Sequence, residues 1–486
     1  MRLSELSEGR INGAAGEVVV TGLSADSREV RPGYLFAALP GGSHDGLDFA
    51  AQALANGAVA LLAPPDPRLR GLAVPVLTDA DPRRCLALMA ARFFGRQPAT
   101  VVAVTGTNGK TSVADFTAQI WSALGRRAAS LGTLGVVSEA GVETLAHTTP
   151  EPVTLHRHLA RLAAAGIDCL ALEASSHGLD QRRLDGVSVE AAAFTHFGRD
   201  HLDYHQDADD YLRAKLRLFA VVMDEGGSAV LNRDSEVFDQ VRAVCAARRQ
   251  PVVSFGAGDC DIRLAGRVSL GEGQRLALEV FGIRSEIELP LIGDFQAMNA
   301  LCALGFVLVT GGEREAALSA LSRLRGVPGR LQRVAAHPSG AAVFVDYSHK
   351  PEALAAALAA LRPHAQRRLT LVFGCGGNRD KGKRPQMGQI AQRLADRVIV
   401  TDDNPRYEDP AQIRAEVLAG CPEAREIGDR GEAIRVAAAG LEAGDVLLIA
   451  GKGHERGQYV GGEIRPFDDA EEARAAVQAL GGRALG

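Results

Sequence analysis

The period of the hydrophobic pattern changes several times along the chain, and each change marks an element. "VVAVT" (Val101 to Thr105) is a short β-branched run that ends in glycine, the pattern of a buried strand. Val113, Phe116, Ile120 and Leu124 then recur at helical spacing, and Gly125 stops the helix. Before this stretch, residues 1 to about 98 read as a small α/β unit. "YLFAAL" (Tyr34 to Leu39) is a strand after the turn "RPG", and "DFAAQALANGAVALLA" is a helix, a glycine stop and a strand. After it, strands and helices alternate to about Phe219, with "CLALE" and "VEAAAFTH" the clearest buried strands. From Pro251 to Pro290 the pattern shortens to alternating runs such as "LALEVFG", which predicts antiparallel strands added to this second unit. A helix after "GDFQAMNALCALGF" leads to the Gly/Pro-rich "GVPGR", the expected linker. Beyond it "AAVFVDYS", "RLTLVFG", "RVIVTDD" and "DVLLIAGKG" are strands, separated by helical segments such as "PEALAAALAALRP" and "PAQIRAEVLAG". The expected organisation is therefore α/β in three segments: residues 1–98, 99–328 and a doubly wound parallel sheet at 329–486.

Length agrees with that division, since 486 residues suit about three domains. A formal charge of −5 argues against a nucleic-acid binder. The seven cysteines are scattered, odd in number and form no C-x-x-C pair, which argues against a disulfide framework or zinc ribbon and suits a reducing cytoplasm. "MRLSELSEGR" has no apolar core for a signal peptide, and no apolar run is long enough to span a bilayer.

The chemistry concentrates at the turn between "VVAVT" and its helix. Gly106, Thr107, Asn108, Gly109, Lys110, Thr111 and Ser112 form a strand-to-helix turn, where backbone N–H groups and a helix dipole make an anion site. Lys110 adds a point charge for β/γ-phosphates and Thr111 a hydroxyl for Mg²⁺. The Walker A pattern asks for a glycine where Val104 stands; here the glycine falls at Gly106. Glu173 ends a buried strand, either reaching a metal ion or capping a helix. "FTHFGRDHLDYH" holds His196, Asp200, His201, Asp203 and His205. His205 reads as part of a solvated loop, while His201 could ligate a second divalent ion. Lys215 lies between Tyr211 and Phe219 on the face that should bury. It could snorkel to water, or lose its charge and react with carbon dioxide to give a carbamate that ligates metal.

"GTNGKTS", "EASSHGL", "DHLDYH", "RAKLRLF", "GDFQAMNA", "PGRLQRV" and "DYSHKPEAL" stand in the order of the Mur ligase family, which the whole chain resembles. The family shares the missing early glycine. "SADSR", "HTTPE", "SSHGLDQRR", "GCGGNRDKGKRP", "DNPR" and "GKGHE" resemble the branch that adds the third peptide residue, meso-diaminopimelate, to UDP-N-acetylmuramoyl-L-alanyl-D-glutamate. The resemblance implies an ATP-dependent amide-bond-forming ligase of peptidoglycan precursor synthesis, cytoplasmic and monomeric, working through an acyl phosphate. It implies that Gly106 to Ser112 hold the ATP phosphates. Thr111 and Glu173 would serve one Mg²⁺, and His201 with carbamylated Lys215 a second. Asn299, Arg330 and Asp346 would contact ATP. Ser27 and His44 would meet the UDP end of the substrate, and Thr148, Thr149, Ser175, Gln181 and Arg183 its muramoyl-peptide part. Arg379, Asp403, Asn404, Pro405, Arg406, Gly451 and Glu455 would receive the amino acid. His147, His196, Gln296 and "DYSHKP" depart from the family pattern, each keeping a hydrogen-bonding group. The alternatives are a lysine-adding ligase of the same family, a folylpolyglutamate synthetase-like ligase and, from another class, a P-loop switch without turnover.

Overall fold

The computed structural model describes every residue except Ser43, Leu202, Asp203 and Gly486, so Asp203 of the His/Asp-rich loop lies outside the described residues. The chain divides into two compact units: Met1–Lys110, Thr117–Val253 and Phe306–Gly312 form the first, and Thr111–Phe116, Ser254–Gly305 and Glu313–Gly486 the second.

In the first unit, strands β1 (Gly22–Ser24), β2 (Tyr34–Ala37), β3 (Ala60–Ala63) and β4 (Val76–Thr78) form a parallel sheet in that order. Leu35, Ala37, Ala60 and Leu62 point to one face with Leu86 and Met89 of the helix Pro82–Phe94, while Phe36, Leu61 and Ala63 pack on the other. That two-sided burial is why these strands read as continuous apolar runs. The same unit holds β5 (Thr100–Thr105), β6 (Ala128–Gly132), β7 (Gly135–Ser138), β8 (Gly141–Glu143), β9 (Cys169–Glu173), β10 (Val189–Phe194) and β11 (Met223–Asn232), ordered β11-β10-β5-β9-β6-β7-β8. β5 is central and parallel to both neighbours, and its six residues are all buried. Its side chains join a core with Leu170, Leu172, Phe194 and Phe219.

Strand β12 (Val252–Gly256) leads into the second unit, where β13 (Ile262–Leu270), β14 (Gly273–Val280) and β15 (Ile283–Leu289) pair antiparallel, as the alternation predicts. The following helix runs from Asp294 to Val309 and so contains "DFQAMNALCALGF" instead of following it. In the Gly/Pro-rich stretch Gly326 and Pro328 are exposed and Gly329 is buried, where a Cβ would sit 2.3 Å from the backbone nitrogen of His454.

The rest of the second unit is a sheet of β16 (Gln332–Ala336), β17 (Ala342–Asp346), β18 (Leu369–Phe373), β19 (Arg397–Val400), β20 (Arg425–Glu426), β21 (Val446–Ala450) and β24 (Arg483–Ala484), with a separate hairpin of β22 (Gly457–Val460) and β23 (Glu463–Pro466). The order is β20-β19-β18-β21-β17-β16-β24, parallel from β20 to β17, with β16 and β24 antiparallel. Helices cover both faces, giving one core around Leu354, Leu358 and Met387 and another around Ile434, Ala473 and Val477. The order leaves the carboxyl ends of β19, β18, β21 and β17 side by side, at the end where ligands gather in such sheets. All seven cysteines are free thiols, and no helix among the described residues is long and apolar enough to cross a membrane.

Candidate functional site

The turn after β5 explains its own unusual glycine. Gly106 has φ +141°, and a Cβ there would lie 2.0 Å from Thr195 Oγ1 and 3.1 Å from the backbone of His196. The loop leaves its strand pressed against the segment that follows β10, so a side chain fits at Val104 but not at Gly106. That segment braces the whole loop. Thr107 N–H donates to His196 O (2.7 Å), Thr195 Oγ1 to Asn108 O (2.6 Å), and Gly198 N–H to Thr107 Oγ1 (3.0 Å). Gly109, at φ +88°, caps the helix Lys110–Ala123. Thr111 and Ser112 are buried in its first turn, and Asn108 is exposed at the tip.

Lys110 is half-buried, and its Nζ folds back onto Gly106 O (2.9 Å) and Thr107 O (3.1 Å). Lys215 reaches the same carbonyl. It is 1 % exposed on the helix Ala208–Arg217, with Nζ 2.8 Å from Gly106 O and 4.4 Å above the Tyr211 ring. Snorkelling is thereby excluded, because the ammonium ends on the phosphate loop and not in water. Two ammonium groups thus share one carbonyl oxygen of the loop.

Glu173 is buried at the end of β9, in register with Val104. It accepts Thr133 N–H (2.7 Å) and Thr133 Oγ1–H (3.2 Å). The helix Ser176–Asp180 that follows is capped by Ser175, which accepts Gly178 N–H (3.1 Å). A Cβ at Gly132 would fall 2.1 Å from Glu173 Oε1, so β6 must carry glycine there for the carboxylate to fit. The neighbouring residues form one connected patch. Thr133 Oγ1 meets Thr148 Oγ1 (3.1 Å), Thr149 Oγ1 donates to Glu173 O (2.8 Å), and Ser175 Oγ to Thr149 Oγ1 (3.0 Å). Arg183 Nη1 donates to Thr149 O (2.6 Å) and its Nη2 to Gln181 Oε1 (2.8 Å). Burial pulls the Arg183 guanidinium below its usual range.

His201 takes a left-handed backbone (φ +52°), with Nε2 3.2 Å from Asp200 Oδ2 and its ring edge-on to His177 at 4.8 Å. His205 is a correction: it is buried, not solvated, with Nδ1 3.3 Å from Asp210 Oδ2. Among the described residues no group of three or more His, Cys, Asp or Glu side chains gathers as a metal site. Beside the four-stranded sheet, Ser27 in the turn after β1 is buried and donates to Gln52 Oε1 (2.7 Å), whereas His44 in the loop after β2 is exposed.

Within the second unit, Asn299 Nδ2 donates to Gln296 Oε1 (3.2 Å), and Gln296 Nε2 to Arg330 O (3.0 Å). The departure at Gln296 therefore has a structural use. Arg330 lies 4.6 Å over the Tyr347 ring and donates to Thr111 Oγ1 (3.3 Å). Asp346 ends β17, accepts Leu331 N–H (2.6 Å) and the Ser348 hydroxyl, and has its pKa raised by burial.

The loops after β18, β19 and β21 meet at the carboxyl edge. Arg406 holds φ +53°, half-buried, its Nη1 donating to Gly377 O (2.8 Å) and its backbone N–H to Tyr459 O of the hairpin (2.9 Å). Asn404 Nδ2 donates to Glu455 Oε2 (2.8 Å). Gly451 has φ +120°, and a Cβ there would lie 2.6 Å from Asp403 Oδ2. Pro405 is buried and Arg379 is exposed. Sequence reasoning missed the residues that hold these: the brace at Thr195 to Gly198, Thr133 under Glu173, Gln52 behind Ser27, and Lys452 and Arg384 under the third set of loops. Only the motifs "GKGHE" and "GNRDKGKR" carried a signal for the last two.

A parallel α/β sheet with a glycine-bent loop at its central strand, and a second sheet gathering polar loops at its carboxyl edge, define a nucleotide-phosphate-binding α/β protein. Comparison with known proteins narrows this. The chain matches the Mur ligase family, catalytic domain at residues 19–94, the Mur ligase middle domain at 104–307, and the Mur ligase, glutamate ligase domain at 329–453. A Caulobacter vibrioides protein named UDP-N-acetylmuramoyl-L-alanyl-D-glutamate–2,6-diaminopimelate ligase is 52 % identical over 472 residues, covering 96 % of this chain and 97 % of its own. The protein of that name from Mesorhizobium japonicum is 52 % identical over 465 residues, covering 96 % of each. A solved structure with the same title superposes with a TM-score of 0.75 at 34 % identity over 99 % of both chains. The chain belongs to the Mur ligase family and is a ligase.

Proposed function

We propose that this enzyme joins meso-diaminopimelate to UDP-N-acetylmuramoyl-L-alanyl-D-glutamate with ATP, in peptidoglycan precursor synthesis, as a cytoplasmic monomer. The three segments 1–98, 99–328 and 329–486 would serve the UDP end, ATP and the amino acid respectively. The observation that carries the reading to this substrate is the edge of the second sheet. Arg406 is locked by Gly377 and the hairpin beside a linked Asn404–Glu455 pair, a set of one cation and one carboxylate suited to a zwitterionic amino acid.

The γ-carboxylate of the D-glutamate attacks the ATP γ-phosphorus, ADP leaves, and an acyl phosphate forms. The amino acid's neutral amine attacks the acyl carbon, phosphate leaves with the C–O bond pair, and the amine's proton passes to solvent. The loop amides take the growing negative charge of the phosphoryl oxygens, and Lys110 joins them by exchanging its bonds to Gly106 O and Thr107 O for the phosphate. Thr148, Thr149, Ser175, Gln181 and Arg183 orient the substrate's peptide end, and Arg330, Asn299 and Asp346 the nucleotide.

For one magnesium ion the donors fit, since the Thr111 hydroxyl and the buried Glu173 carboxylate are hard oxygen ligands. For a second, His201 offers a ring nitrogen. Lys215 as it stands is a donor to Gly106 O and repels a cation, so it fits only as the carbamate. Bound magnesium would supply charge neutralisation at the phosphates.

The test is direct. With ATP and the UDP-linked dipeptide, the enzyme is given meso-diaminopimelate or lysine and the product is weighed. ADP release only with the amino acid present and a product heavier by diaminopimelate are expected. Acceptor-independent hydrolysis would indicate a switch, and a lysine product the other branch.

A further inference from the structure

Lys452 has no role in the reading above, yet it is a fully enclosed cation beside the proposed amino-acid pocket. Its side chain is 0 % exposed. Its Nζ lies 3.0 Å from Asn404 Oδ1, 3.1 Å from Glu455 Oε2 and 2.6 Å from Gly457 O. An ammonium has three N–H donors, and all three are used. One buried charge therefore ties together the loop after β19, the loop after β21 and the start of β22.

The geometry fixes more than loop position. Asn404 Oδ1 accepts from Lys452 and also from Tyr459 N–H (3.0 Å), so the amide can stand only one way round. Its Nδ2 is then turned to Glu455 Oε2 (2.8 Å), and that oxygen receives two donors. Among the described residues none bonds the other oxygen, Oε1, and the Glu455 side chain is 27 % exposed. The result is a carboxylate with one oxygen anchored and one presented to solvent. Were Lys452 absent, Tyr459 N–H would still fix the Asn404 amide, but Glu455 would lose its charged anchor and could swing, and a buried carbonyl at Gly457 would lose its donor.

We propose that Lys452 is a positioning residue for amino-acid recognition: it holds Glu455 against the Asn404 amide so that Oε1 receives an ammonium group of the incoming amino acid. Lys452 does not itself touch substrate, because it is fully enclosed. The proposal rests on the functional reading above, in that Glu455 is taken to face the amino acid.

The test is steady-state kinetics with each of the three substrates varied in turn, on wild type, Lys452→Met, Glu455→Gln and the double variant, with thermal melts of each. Lys452→Met keeps an unbranched stem and removes the charge. KM for diaminopimelate should rise by about 30-fold or more, while KM for ATP and for the UDP-dipeptide stays within about twofold and kcat within about threefold. The double variant should be no worse than Glu455→Gln alone, since Lys452 acts through Glu455. Lys452→Arg, which keeps the charge, should recover part of the KM loss. Effects that multiply in the double variant, an unchanged diaminopimelate KM, or a parallel loss for all three substrates together with melting temperature would each overturn the proposal. If Lys452→Met does not fold, Lys452→Gln carries the same expectation; if neither folds, an unchanged KM in Glu455→Gln overturns it. If wild type uses another amino acid, the functional reading fails first, and the same series run with that amino acid still decides the role of Lys452.

Discussion

Replacing Lys215 separates a structural lysine from a chemical one. Its Nζ makes a 2.8 Å bond to Gly106 O and sits 4.4 Å over the Tyr211 ring, at 1 % exposure. In Lys215→Met the charge-assisted bond is lost, about 1.5–3 kcal/mol, but a desolvated ammonium beside Lys110 is removed as well, which offsets much of it. Gly106 O keeps its bond from Lys110 Nζ and is not orphaned. The net change should be about 1 kcal/mol, a melting shift of a few degrees. If Lys215 works only as a brace, activity should follow that small change. If it works as a carbamate, the loss of a ligand to the transferring phosphoryl's metal should cost about 3–4 kcal/mol of transition-state stabilisation, several hundredfold in kcat. Lys215→Arg discriminates further, because a guanidinium keeps the bond to Gly106 O yet cannot form a carbamate. The assay is phosphate release under saturating substrates beside a thermal melt, repeated with added short carboxylic acids. The expected result is a stable, nearly inactive Met variant partly restored by the acid, and an inactive Arg variant. An Arg variant within about threefold of wild type would refute the carbamate and leave Lys215 as a brace.

Lys110→Ala removes the cation that folds onto Gly106 O and Thr107 O; it should stay folded and lose about 3–4 kcal/mol of transition-state stabilisation, read as a few-hundredfold drop in turnover, and near-wild-type turnover would sink the phosphate-loop assignment. Arg406→Ala should raise KM for diaminopimelate with ATP and UDP-dipeptide affinities little changed, and wild type should prefer diaminopimelate to lysine by up to roughly 10⁴-fold, because lysine would leave the guanidinium without its carboxylate partner; equal use of the two in a competition assay counts against this. Burial holds the His156 imidazole down at about 4 from its ordinary 6.5, so the folded state takes up fewer protons than the unfolded one between those values. Stability should thus be full above pH 6.5 and fall as pH drops toward 4, by about 3 kcal/mol from this group, and His156→Gln should flatten that slope in denaturant titrations.

What the sequence made legible follows from how local each signal is. The strand, turn and helix around Gly106 are specified by about twenty consecutive residues, so pattern alone placed them. The same holds for the four parallel strands before the carboxyl edge of the second sheet. Tertiary packing decided the rest. Nothing in "FTHFG" says that Thr195 to Gly198 brace a loop ninety residues earlier in the chain, because that contact exists only once β10 pairs with β5. His205 reads as a polar loop residue and is buried because the aromatic rings of His177, Tyr204 and Tyr211 close around it. Lys215 was ambiguous for a related reason: helical period put it on the buried face, but only the fold shows that its amine ends on Gly106 O.

The two lysines on that carbonyl connect the fold to the chemistry. A glycine at 106 is demanded by Thr195, and the bend it allows turns Gly106 O toward both Lys110 and Lys215. Two ammonium groups on one carbonyl oxygen place positive charge where a polyanionic phosphate would meet it. A side chain at 106 would meet Thr195 Oγ1 and the His196 backbone, so the carbonyl could not keep this place. The displaced glycine is therefore part of how the site assembles its charge, and substituting it with alanine should cost the enzyme both its phosphate affinity and the placement of Lys215.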